Sequence, residues 1–266
     1  MAIKEETRVI ETQIEIDAPV ETVWKALTEP EELTNWFPLE ARLTPGVGGS
    51  LFYSWGGDLQ GDNRIVVWEP NRHLRTTWFE PASETPDRLM VDYMLDSHGG
   101  KTVLRLVHSG FGADAKWDEE YDGINRGWTV ELRNLRHYLE RKLGKKRHVA
   151  FVRVGIDLPF PQAWERIWSA DGLLAEGEMP GPKEGDRYAF TTAQGDRLEG
   201  RTLAFIPPND FSGTVENLND AVFRAAVEKC GARPEAIFWL SSWDMSATQV
   251  EEIGGRWKEL LTKLMT

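Results

Sequence analysis

A chain of 266 residues, 41% hydrophobic and 28% charged, is long enough for one large or two ordinary domains. Its 43 acidic against 31 basic side chains leave a net charge of −12 with both signs interspersed, which argues against nucleic acid and anionic membrane as partners, since phosphate neutralisation needs clustered Lys and Arg. The single cysteine, Cys230, excludes an internal disulfide, and the lack of a signal-like start or a long apolar run predicts a cytoplasmic protein.

Residues 8–16 alternate, with Ile10, Ile14 and Ile16 on one face and Glu11, Gln13 and Glu15 on the other, the pattern of a half-exposed strand. Pro19 then opens a helix whose Val20, Val23, Trp24 and Leu27 fall on one face, and Pro30 opens a short one carrying Leu33 and Trp36 before Pro38 stops it. Strands are predicted over 39–43, 50–55, 62–69, 73–80, 88–96 and 101–109, separated by Gly- and Pro-rich turns. Trp68 is expected to face outward if Ile65 and Val67 face in. Pairing Leu95 with Thr102 would set Tyr93 opposite Leu104 and Asp92 opposite Arg105, an apolar face and an ion pair. A long helix from about 116 to 143 closes the series, with Ile124, Trp128, Leu132, Leu135 and Leu139 as its apolar stripe. Asp118, Glu119, Glu120 and Asp122 at its start and the basic stretch 141–147 at its end complement the helix dipole.

The chain then repeats itself. Ile16-Asp17-Ala18-Pro19 followed by Trp24 returns 140 positions later as Ile156-Asp157-Leu158-Pro159 followed by Trp164. Ile124, Trp128, Leu132 and Leu135 return, 129 positions on, as Ile253, Trp257, Leu261 and Leu264. Two copies this long are two domains, 1–145 and a shorter 146–266. The repeat also assigns 220–230, rich in alanine, to a strand rather than a helix, with a turn at Ala232-Arg233-Pro234-Glu235 and a last helix from about Ser246 to Leu264.

Ile16-Asp17-Ala18-Pro19 with Trp24, then Pro30, Leu33 and Trp36-Phe37-Pro38, then Gly48-Gly49, Glu69-Pro70 and Gly127-Trp128 with Leu132 and Leu135, together resemble the START-like (SRPBCC) superfamily. Within it they look most like the domain related to the activator of heat-shock protein 90 ATPase. The likeness covers most of 8–143 and is weaker over 148–265, where Asp171-Gly172-Leu173-Leu174 replaces the Trp-Phe-Pro corner. The resemblance implies an α+β chain of two tandem helix-grip domains, each a curved antiparallel seven-stranded sheet wrapped around a long C-terminal helix, the second degenerate. It further implies a cavity between sheet and helix that binds small lipophilic molecules, as most of the superfamily does; a minority are cyclases or hydrolases.

The histidines, His73, His98, His108, His137 and His148, have no ligand spacing, and neither HExxH nor CxxC occurs, so no metal and no cofactor is expected. Gly46-Val47-Gly48-Gly49 lacks the Lys-Ser/Thr of a phosphate loop and reads as a strand-opening turn. Trp36, Tyr53, Trp55, Trp78 and Tyr93 are candidates to line a cavity, with Trp128 from the helix, though each could equally be core packing. His108 shares a face with Leu104 and Leu106, where it could bond a ligand, move a proton, or be satisfied by neighbouring backbone. Three functions follow: non-catalytic binding of a small hydrophobic ligand, an enzyme using His108 as acid and base, and a co-chaperone-like adaptor meeting a protein partner through a sheet edge or domain interface.

Overall fold

The alternation at the start of the chain builds β1 (Thr7–Ile16), which buries Ile10, Ile14 and Ile16 and exposes Glu11, Gln13 and Glu15. This computed structural model describes residues 7–79, 88–230 and 233–266. They divide into two compact units, Met1–Gly144 and Lys145–Thr266.

In the first unit Pro19 sets the entry into α1 (Val20–Thr28), which buries Val23, Trp24 and Leu27, and Pro30 starts α2 (Pro30–Leu33). The meander β2 (Glu40–Thr44), β3 (Ser50–Ser54), β4 (Gln60–Glu69), β5 (His73–Thr77), β6 (Met90–His98) and β7 (Lys101–Gly112) follows. Residue 80 of the strand predicted over 73–80 lies outside the described residues. The sheet is antiparallel in the order β1-β7-β6-β5-β4-β3-β2, so the first strand closes onto the last. The helix α3 (Asp118–His137) lays Trp128, Leu132 and Leu135 against this seven-stranded wall and ends in a wider, π-type turn at Tyr138–Lys142. Tyr138 ties that turn back to α2, donating to Glu32 at 2.7 Å; burial and this bond push its pKa up to about 12.

Two local expectations are corrected. Leu95 pairs with Leu104 rather than Thr102, Tyr93 with Leu106 and Asp92 with Val107, because the ladder runs on to His98–Lys101 and leaves only Gly99 and Gly100 in the turn. Both glycines take positive φ (60° and 87°), the two-residue turn whose twist matches that of the strands it joins. The slip is two residues, so the apolar face survives. The ion pair does not: Asp92 binds His73 at 2.7 Å and lies 3.6 Å from Arg75, while Arg105 pairs with Glu11 at 2.7 Å. Trp68 does not face outward. A bulge between Ile65 and Val67 reverses the alternation and sets Trp68 edge-on to Trp24, centroids 5.1 Å apart.

The second unit repeats the plan with β8 (His148–Gly155), α4 (Phe160–Ile167), β9 (Glu176–Gly177), β10 (Arg187–Thr191), β11 (Arg197–Ile206), β12 (Asp210–Val215), β13 (Ala221–Cys230), β14 (Arg233–Ser242) and α5 (Ala247–Met265). Its sheet order, β8-β14-β13-β12-β11-β10-β9, is the same. The alanine-rich 221–230 is a strand, as the repeat requires. Arg233, Pro234 and Glu235 are not a turn but the start of β14, paired with Cys230, Lys229 and Glu228. Proline is tolerated so near a strand start, and its carbonyl accepts from Ile156 N at 3.0 Å. Residue 232 of the expected turn lies outside the described residues. Ser246 caps α5 in a reciprocal box with Gln249.

Candidate functional site

The aromatic side chains of the first unit converge between the sheet and α3. Tyr53 stands on β3, Trp78 and Phe79 follow β5, Tyr93 stands on β6 and His108 on β7, and α3 supplies Trp128. Trp128 lies 5.4 Å from Trp78, 6.0 Å from Tyr93 and 6.1 Å from His108, centroid to centroid. Phe37, in the corner after α2, stacks on Trp128 at 5.6 Å and meets Tyr53 at 5.3 Å and Trp55 at 5.0 Å edge-on. Such offset and edge-to-face pairs are the favoured arrangements of aromatic quadrupoles. The cluster has a gradient: Tyr53, Tyr93, His108 and Trp128 are buried, while Trp55, Trp78 and Phe79 keep part of their surface in solvent. Phe79 can reach this rim because Gly61 lies beneath it, where a Cβ would come within 2.5 Å of the phenyl ring.

The polar groups of the cluster are few. The Tyr53 and Tyr93 hydroxyls hydrogen-bond to each other, and burial pushes both phenols above their ordinary pKa. His108 is 0% exposed. Its Nδ1 accepts from Trp128 Nε1 at 3.0 Å, and its Nε2 has no hydrogen-bond partner among the described residues. Burial drops its pKa to about 3, so the ring is neutral across the physiological range. Such a neutral imidazole keeps its one N–H, is a very weak acid and, held from protonation by burial, is a weak base near neutrality. That geometry disfavours the acid–base role expected as the alternative.

The structure thus brings Tyr53, Trp55, Trp78, Tyr93, His108 and Trp128 together. Trp36 is set apart. Its Nε1 donates to the Ala26 carbonyl at 2.8 Å, its own carbonyl accepts from Asn134, and it touches the cluster through Phe37, on which it stacks at 4.8 Å. It staples the corner to α1 and α3. Phe37, Phe79 and Phe111, the last 4.8 Å from His108, belong to the cluster without having been singled out from the sequence. Phe37 was visible in the Trp-Phe-Pro signature, but in a turn neither periodicity decides which of two adjacent rings faces in.

The second unit is a control on the same scaffold. Val91 and Ile10 flank His108 in the first sheet, and the matching neighbours in the second, Phe223 and Ala150, flank Leu240. By the same registers Thr192, Val215 and Ala225 stand where Trp55, Trp78 and Tyr93 stand. Trp257, the counterpart of Trp128, donates its indole N–H to Asp196 at 3.0 Å. Its interior packs fully buried Phe190, Phe211, Phe223 and Phe238 against Trp168, Tyr188 and Trp257.

Among the described residues no group of three or more His, Cys, Asp or Glu side chains is placed to hold a metal ion, and no helix is long and apolar enough to cross a membrane. Residues 17–140 match the family of activator of Hsp90 ATPase homolog 1-like proteins. Solved structures similar to the chain include a protein of Mesorhizobium loti (29% identity over 51% of this chain and 99% of that one, TM-score 0.45). The Aha1 dimer of Colwellia psychrerythraea is similar over 52% of this chain and 99% of its own, at 23% identity and TM-score 0.45. The di-domain ARO/CYC BexL of the BE-7585A biosynthetic pathway is similar over 97% of this chain and 98% of its own, at 13% identity and TM-score 0.43. No curated protein matches. Residues 17–140 thus match the activator-of-Hsp90-ATPase-like family in sequence, and the second unit repeats the sheet order of the first.

Proposed function

We propose that the first unit binds a small lipophilic or aromatic molecule between its sheet and α3, and does so without catalysis. The observation that carries this reading is the gradient from buried Tyr53, Tyr93, His108 and Trp128 to the partly exposed rings of Trp55, Trp78 and Phe79. A core built for cohesion alone gains nothing by leaving three large rings at the solvent boundary, as each buries ~150–250 Å² when fully enclosed. The second unit, which lacks counterparts of Trp55 and Trp78, serves as a structural partner in this reading.

A titration of the full chain with the uncharged dye Nile red tests it. Saturable binding at one site per chain is expected. Trp78→Ala, which removes a partly exposed wall, should weaken it about tenfold while leaving the circular-dichroism spectrum intact. Absence of saturable binding to the unsubstituted protein would end the proposal.

A further inference from the structure

We propose that the Nε2–H of His108 is the polar anchor of this site, and that its guest is a flat, uncharged lipophile carrying a hydrogen-bond acceptor such as a ketone carbonyl. This rests on the binding reading above and gives it a ligand class.

The argument starts from the tautomer. An indole N–H can only donate, so the Trp128 Nε1 to His108 Nδ1 bond at 3.0 Å makes Nδ1 the acceptor and places the proton of the neutral ring on Nε2. That N–H finds no acceptor among the described residues although the side chain is fully buried. Leaving a buried donor unmade costs about 1–3 kcal/mol. The fold itself does not require the cost. At the matching position of the second unit Leu240 is equally buried, and there the tryptophan N–H is taken by Asp196. A hydrocarbon at 108 would therefore be compatible with the architecture, and the imidazole is explained by a partner that arrives from outside.

The surroundings define that partner. The rings nearest His108 are Phe111 at 4.8 Å, Trp78 at 5.4 Å and Trp128 at 6.1 Å, all uncharged. A carboxylate brought among them would be desolvated without a countercharge, which is far costlier than a neutral carbonyl. A ligand offering only donors would leave the Nε2–H unmet. Planar walls of indole and phenyl favour a planar guest.

The test compares two probes of one shape, indanone and indane, which differ in a carbonyl, by equilibrium titration of the full chain. Indanone should bind the unsubstituted protein about tenfold more tightly, and in His108→Leu, the residue the second unit uses, the two should bind alike. In the unsubstituted protein indanone should also move the His108 side-chain ¹⁵N resonance of Nε2, whereas indane should not. Equal affinities in the unsubstituted protein, or a preference that survives His108→Leu, would overturn the anchor and leave hydrophobic binding standing. Failure of both probes to bind would overturn the anchor and its ligand class, and the Nile red titration then decides the binding reading. Should His108→Leu fail to fold, an Nε2 signal unmoved at saturating indanone still overturns the proposal.

Discussion

An imidazole enclosed by indole and phenyl rings loses the hydration that makes it basic, and His108 accordingly stays neutral down to about pH 3. In the unfolded chain the same side chain takes up a proton near its ordinary pKa of about 6.5. The unfolded state therefore gains protons that the folded state refuses as the pH falls from about 6.5 toward 3. The stability is fully present above that window and drains away within it, by about 2 kcal/mol at pH 5. Urea unfolding of the full chain at pH 7 and pH 5 measures the loss, and His108→Leu should remove that share of it. An equal acid sensitivity in the variant would show that the burden lies elsewhere. The residue was legible in the sequence only as a polar group on an apolar face. Its bond to Trp128 joins side chains 20 positions apart on a strand and a helix, and no spacing rule reports such a meeting.

At the level of elements, most of the fold could be read from periodicity, because strands that bury one face and helices that bury one stripe must write that face into the sequence. What escaped was backbone geometry. The β6–β7 register followed from two glycines free to take positive φ, and Trp68 turned inward because one bulged residue reversed the alternation after Ile65. Neither leaves a hydrophobic pattern of its own. The turn makes a direct prediction. Gly100 holds φ at 87°, so Gly100→Ala should destabilise the first unit by about 1 kcal/mol or more, read as a lowered urea midpoint. An unchanged midpoint would mean that the hairpin has an alternative turn of equal energy.

For the molecule as a whole, the duplication was legible from recurring motifs, and the two copies prove to share topology while differing in what fills them. The first sets Trp55, Trp78, Tyr93 and His108 around Trp128; the second has Thr192, Val215, Ala225 and Leu240 at those positions and packs four buried phenylalanines around Trp168, Tyr188 and Trp257. Cohesion is thus achieved twice with the same wall and helix, and only the first copy sets an imidazole against the tryptophan of its long helix. The Tyr53–Tyr93 pair carries a consequence at the other end of the pH scale. An unfolded phenol ionises near its ordinary pKa of about 10, whereas burial holds these two protonated well beyond it. Strong alkali therefore favours the unfolded chain, and the ultraviolet band of their phenolates should emerge only when the first unit opens. Tyr188 of the second unit is held protonated by burial in the same way, so it is replaced in a Tyr188→Phe chain. There a spectrophotometric base titration ought to show the Tyr53 and Tyr93 band rising together with the loss of ellipticity, turning two silent side chains into an optical reporter of the first unit's integrity.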